Sequence, residues 1–200
     1  MYDKIEYRNA VMTATENEND DDKDACEVHG RAIVFDTPQV IYKDRFGNEY
    51  REIIDSHALD NAIMKDVPLR LDHDKSGVAI LARTRNKSLI LTKKDDGLYI
   101  DAELRSNLGK DVHAAVKAGD IKDMSFGFIC NKDKFDSKTN TRTVLEIAKL
   151  TDVSIVQDGA YDAAYVEARN ESIPKWVEDI EEKRSKNQLE REKLILLSYL

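Results

Sequence analysis

At 200 residues with 41% hydrophobic content, the chain can bury one sizeable core and is read as a single domain with appendages. A formal net charge of -8 without any cluster of Lys and Arg argues against a nucleic-acid partner, because phosphate neutralisation needs a local basic excess. No apolar run is long enough for a bilayer and no basic-then-apolar start resembles a signal peptide, so no membrane role is expected, and the protein is expected to stay in the cytoplasm where it is made.

Residues 1–15 alternate loosely enough for a first strand. The run Glu16 to Asp24, ENENDDDKD, holds six acids and one lysine, repels itself and reads as a solvated loop. Gly30 to Asp36 is apolar and rich in β-branched and aromatic residues, and predicts a buried strand that ends at Thr37-Pro38. Turn residues from Arg45 to Glu49 lie between Val40-Ile41-Tyr42 and Tyr50 to Ile54, a hairpin pattern. Ser56 can cap a short helix over His57 to Lys65, with Leu59, Ala62 and Ile63 on one face. Pro68 restarts extended structure, which leads through Leu71 to Asp72-His73-Asp74 and on to a second apolar run, Gly77 to Ala82.

Two alternating strands, Ser88 to Thr92 and Leu98 to Leu104, flank a turn with an Asp-Gly hairpin signal. Helical spacing of Leu108, Val112, Ala115 and Val116 predicts a helix over Ser106 to Ala118, with Gly119 just beyond its end. The strand DMSFGF follows. A polar excursion over Asn131 to Thr141 separates it from Thr143 to Ile147 and from Leu150 to Val156. About ten short strands and two short helices describe an α+β domain organised round an antiparallel sheet or barrel. Beyond Pro174, six acids and six bases over residues 175–193 with no Gly or Pro predict a charged helix, and the apolar end Leu194 to Leu200 calls for a partner.

The chemistry rests on few groups. Cys26 and Cys130 lie far apart and neither has CxxC or CxxH spacing, so neither a metal site nor a redox pair is expected, and no cofactor is implied. Ser125 sits among large apolar residues. Such a serine is ordinarily a small buried residue bonded to backbone, and becomes a nucleophile only where a base takes its proton. Of the four histidines, His73 has the best setting, at the end of a strand and between two acids; the competing reading is a polar turn. Asp152, on one face of its strand with Leu150, Ser154 and Val156, is a candidate to orient the histidine. Glu146 on the preceding strand competes for that role, and a solvent-facing strand-edge Asp is the plain alternative.

Taken in order, GRAIVFD, EIIDSHAL, LRLDHD, DDGLYIDAEL, GKDVHAAVKAGDIKDMSFGF and LTDVSIVQDGAYDAAYV resemble the tailed-phage prohead proteases, capsid-maturation serine peptidases with an assemblin-like fold. The likeness runs from about Gly30 to Val166. It implies an antiparallel β-barrel core with short helices over residues 1–172, followed by the charged helical tail at 173–200. It also implies Ser125 as nucleophile, His73 as general base and Asp152 as third member, where the family usually has Glu. Gly127 would leave room for a substrate backbone. Asp55 to Leu59 and Gly159 to Asp162 depart from the family's usual Pro-containing segments, in connections away from these three positions. The implied partners are the major capsid protein with its scaffolding segment, scaffold protein and the protease itself, inside proheads in the host cytoplasm. The tail would bind capsid or scaffold, pack on its own domain, or pair with a second copy. A non-catalytic assembly protein is the second reading. A small-substrate esterase is a weaker third, since no Gly-x-Ser-x-Gly elbow occurs.

Overall fold

The computed structural model describes residues 4–11, 26–157 and 175–197; the acidic run at 16–24 and the departure at 159–162 lie outside them. Ten strands and two α-helices are found among the described residues, an α+β arrangement. The strands are β1 (Glu6–Val11), β2 (Glu27–Val34), β3 (Gln39–Lys43), β4 (Glu49–Ile54), β5 (Pro68–Leu71), β6 (Ile80–Arg83), β7 (Leu89–Lys94), β8 (Gly97–Glu103), β9 (Asp123–Asp136) and β10 (Thr141–Val156). The helices are α1 (Asn107–Ala118) and α2 (Lys175–Leu197).

The expected antiparallel barrel is met only in part. The described strands form a seven-stranded sheet ordered β1-β9-β10-β4-β3, with β5 and β6 branching from β10, and a separate three-stranded sheet ordered β2-β8-β7. No closed barrel is found among the described residues. The larger sheet is also mixed, because β10 runs parallel to both β4 and β5 while pairing antiparallel with β9.

Local chemistry explains where expectation and structure agree. The hairpin β3–β4 forms round Asp44, whose carboxylate accepts from the backbone N–H groups of Phe46 and Asn48 at 2.8 Å each. Helix α1 starts where the Ser106 side chain accepts from Gly109 N, and stops at Gly119, whose φ of 81° lies in the left-handed region that favours glycine.

Two expectations are corrected. Residues 57–65 form successive turns, not a helix: Asp60 N donates to His57 O and Ala62 N to Leu59 O, both three residues back. The next residue, Ile63, bonds instead to β10 through Ala148 O, so the segment has no room to propagate a helix. The polar stretch from Asn131 to Thr141 is mostly strand: β9 continues to Asp136, and Thr143 to Ile147 joins Leu150 to Val156 in the single strand β10. Residues 131–134 are exposed, so their polarity marks a projecting ribbon.

Ile33, Leu69, Leu98, Ile100, Phe128 and Leu150 are among the residues packed in the core between the sheets. The first turns of α2 return to this domain. Val177 is fully buried, the Trp176 ring lies 5.7 Å from that of Phe135, and Arg184 donates to Asn140 Oδ1 at 2.9 Å.

Candidate active site

Strand β5 ends in a tight turn in which Asp74 N donates to Leu71 O at 3.0 Å, with φ of 48° at Asp72 and 56° at His73. Positive φ at both central residues is the pattern of a type I′ turn, where Asn and Gly are usual and other residues are strained. The strain is held by surrounding bonds: Asp72 N donates to Ile155 O at 2.9 Å, and Asp72 Oδ1 accepts from Gln157 N at 3.1 Å. Asp74 turns to Ser76, accepting from its N–H and hydroxyl. The acids flanking His73 in sequence therefore spend their carboxylates on the turn. The carboxylate that meets its ring comes from β10.

His73 Nδ1 lies 2.5 Å from Asp152 Oδ2, and Nε2 lies 2.5 Å from Ser125 Oγ. The structure thus brings together the three residues singled out from sequence, on β9, on β10 and in the turn after β5. Ser125 is fully buried and Asp152 is 5% exposed. Burial pushes the Asp152 carboxyl up, but the hydrogen bond and charge of His73, with the Ser154 and Thr151 hydroxyls, outweigh it and hold the group below its ordinary value. An ionised carboxylate only accepts, so Nδ1 carries the hydrogen, and in a neutral ring Nε2 keeps the lone pair toward Ser125.

Glu146 does not reach this site. Its carboxylate accepts from Asn131 Nδ2 at 2.8 Å, and six residues of strand place it about 20 Å from Asp152. Nor does Asp152 share a face with Leu150. A register shift between them sets Asp152 opposite Gly127 and Leu150 opposite Phe128, on opposite faces of the pair. Gly127 gives space to the relay and not to a substrate backbone: a Cβ there would meet Asp152 Oδ1 at 2.6 Å, Thr151 Oγ1 at 2.7 Å and Tyr7 Cε1 at 2.8 Å.

Sequence reasoning missed several residues. Ser154, fully buried, donates to Asp152 Oδ2 at 3.1 Å and also lies 3.1 Å from His73 Nδ1, and the Tyr7 ring sits 4.4 Å from the His73 ring. Ser125 Oγ also donates to Arg8 O at 2.9 Å. Behind Arg8 lies a buried ion cluster in which its guanidinium grips both oxygens of Glu52, at 2.5 and 2.9 Å. Arg142 Nη1 bonds Glu6 at 2.5 Å and Glu52 at 2.8 Å, and its Nε bonds Asp133 at 2.5 Å. One signal was available: Glu52 falls two residues from both Tyr50 and Ile54 along β4, on the same buried face, which places it inside.

A family model described as caudovirus prohead serine protease matches residues 12–178. The chain belongs to that family. It is therefore a phage serine protease of prohead maturation, and the non-catalytic assembly reading is set aside. The bacteriophage T4 capsid assembly protease has a similar fold, with a TM-score of 0.52 at 13% identity over 78% of this chain and 98% of that one. No curated protein matches the sequence. Among the described residues no helix is long and apolar enough to cross a membrane.

Proposed function

We propose that Ser125, His73 and Asp152 perform the peptide hydrolysis. His73 Nε2 takes the Ser125 proton as Oγ attacks the scissile carbonyl carbon, and the resulting imidazolium is held by Asp152. The same proton then passes to the leaving amine, freeing the C-terminal fragment with its new amino terminus and leaving the N-terminal fragment as an ester on Ser125. Water, deprotonated by His73, hydrolyses the ester. The observation that carries this reading is the unbroken line from Ser125 Oγ through both ring nitrogens to a buried carboxylate, each step 2.5 Å. Ser154 and Thr151 support the carboxylate, and Tyr7 packs on the ring.

The substrates are the major capsid protein's scaffolding segment, scaffold protein and the protease itself, cut within assembling proheads in the host cytoplasm. The family description and the T4 relative's part in capsid assembly support this reading. Residues 1–172 make the protease domain and 173–200 the tail. The first turns of the tail pack on the domain, while Leu189 is 54% exposed, which favours contact of the outer part with capsid, scaffold or a second copy.

Co-expression of the intact chain, Ser125→Ala and His73→Ala with the cognate capsid protein, followed by intact-mass analysis, tests the assignment. The wild type should shorten capsid protein or itself and both variants should leave every mass whole. Cleavage that survives Ser125→Ala would overturn it.

A further inference from the structure

The edge of β9 beside Ser125 is covered by β1, antiparallel, with Asn9 opposite Ser125 and Arg8 opposite Phe126. This is the geometry by which extended peptides add to a sheet edge, with the backbone supplying affinity and alternate side chains entering pockets. Three features mark β1 as an occupant of that edge. First, the family match begins at residue 12, after β1 has ended. Second, Arg8 O takes a hydrogen bond from Ser125 Oγ at 2.9 Å, although the same hydroxyl has only one hydrogen and lies 2.5 Å from His73 Nε2. Arg8 O and His73 therefore compete for one proton, and departure of β1 leaves it to the base.

Third, Arg8 forms one wall of a cavity whose other lining residues include Val34, Thr37, Gln39, Ile54 and Phe126, and Glu52 receives its guanidinium there in a two-pronged bond. Glu52 is 3% exposed. Its Oε2 also accepts from Arg142 Nη1, whereas its Oε1 accepts from Arg8 Nε. Departure of β1 removes Arg8 and Glu6 together, so an arriving arginine would restore the two-pronged bond that Glu52 loses.

The geometry points to the edge of β9 as the binding site for an extended substrate peptide that carries an arginine where Arg8 lies, with β1 filling that site until substrate displaces it. The carbonyl touching Ser125 belongs to Arg8, so the bond cut in a substrate is the one following the basic residue. Glu52 is the specificity-determining group. This inference rests on Ser125 being the nucleophile.

The test uses the full chain, its Arg8→Ala and Glu52→Gln variants, and synthetic peptides that differ only by Arg, Gln or Glu at one central position. The wild type should cut the Arg peptide roughly tenfold to a hundredfold faster than the Gln peptide, and Glu52→Gln should remove most of that ratio. Arg8→Ala, which loosens β1, should raise the rate in trans by about tenfold. A second measurement needs no variant: an arginine-containing peptidyl fluorophosphonate that labels Ser125 should speed hydrogen exchange at residues 6–11. Cleavage without basic preference, with exchange at 6–11 unchanged on labelling, overturns the inference and leaves the protease assignment standing. Peptide cleavage that persists in Ser125→Ala overturns the assignment beneath it.

Discussion

Neighbouring residues of β1 meet two largely buried polar networks of opposite design. Tyr7 packs on His73, in a network built from one imidazole, one carboxylate, two serine hydroxyls and the Thr151 hydroxyl. Arg8 enters a network of two guanidiniums and three carboxylates, Glu6, Glu52 and Asp133. In the second, burial lowers both arginines' pKa values, but their carboxylate partners more than reverse this, and Glu6 is held below its ordinary value by Arg142 and Arg8 despite its burial. Those charges are fixed and no proton has anywhere to go. In the first, Oγ and Nε2 lie 2.5 Å apart and each can hold the Ser125 proton. Buried polarity alone does not mark chemistry; a proton with two homes does.

The largest effect belongs to the relay side. Asp152→Asn keeps the size of the side chain but presents an amide that can donate to Nδ1, which fixes the tautomer with its hydrogen on Nε2 and blocks that atom as a base. Cleavage of a capsid-derived peptide should fall by on the order of 10⁴-fold, with the urea midpoint showing a folded chain. A fall below tenfold would mean that His73 is oriented without Asp152.

The ion cluster breaks differently. Arg142→Met leaves buried Glu52, together with Glu6 and Asp133, facing an apolar side chain, and should cost about 3–5 kcal/mol in urea unfolding. Adding Glu52→Gln should cost less than the sum of the two single variants, because the two residues share a hydrogen bond. A double variant as unstable as the sum of the singles would show the cluster to be additive and the coupling absent.

The contrast also explains what was legible in the sequence. His73 could be found because the chain has only four histidines, Ser125 and Asp152 because their segments, taken in order with that of His73, resemble a known family, and the β3–β4 hairpin and α1 because Asp44, Ser106 and Gly119 act within a few residues of themselves. The cluster was invisible because its charges are of common types whose partners are remote: Arg8 and Glu52 are 44 positions apart, Glu6 and Arg142 136. The register shift near Thr151, which sets Asp152 opposite Gly127, depends on pairing with another strand and has no local signature. The absent helix at 57–65 had the right spacing, but β10 captures Ile63 first.

Gly127→Ala probes the relay through space alone. The new methyl group would press on Asp152, Thr151 and Tyr7, all within 2.8 Å, on a strand flanked by β1 and β10. Displacing the carboxylate by a fraction of an ångström should cost about 10²-fold in kcat/KM, with about 1–3 kcal/mol of stability. Full activity would show that the site accommodates the methyl and that the glycine matters to folding only.

The smallest effect separates the two networks by pH. Asp152 has its folded-state pKa depressed below the ordinary 3.8, so the stability it contributes is present above that unfolded value and is lost as pH falls through the folded one. The difference in unfolding free energy between wild type and Asp152→Asn should therefore be constant from pH 7 to about pH 5 and close below about pH 4. Glu6 follows the same sign from its own ordinary value of 4.5, so Glu6→Gln should show its gap closing as the pH drops through the acid range. The relay variant differs in a second readout. Asp152→Asn loses activity across the whole neutral range, where its stability gap does not change with pH, because the lost carboxylate acts on the histidine's tautomer and not on the fold's charge balance. A Glu6→Gln chain whose activity fell as far as its partner's would join the two networks into one.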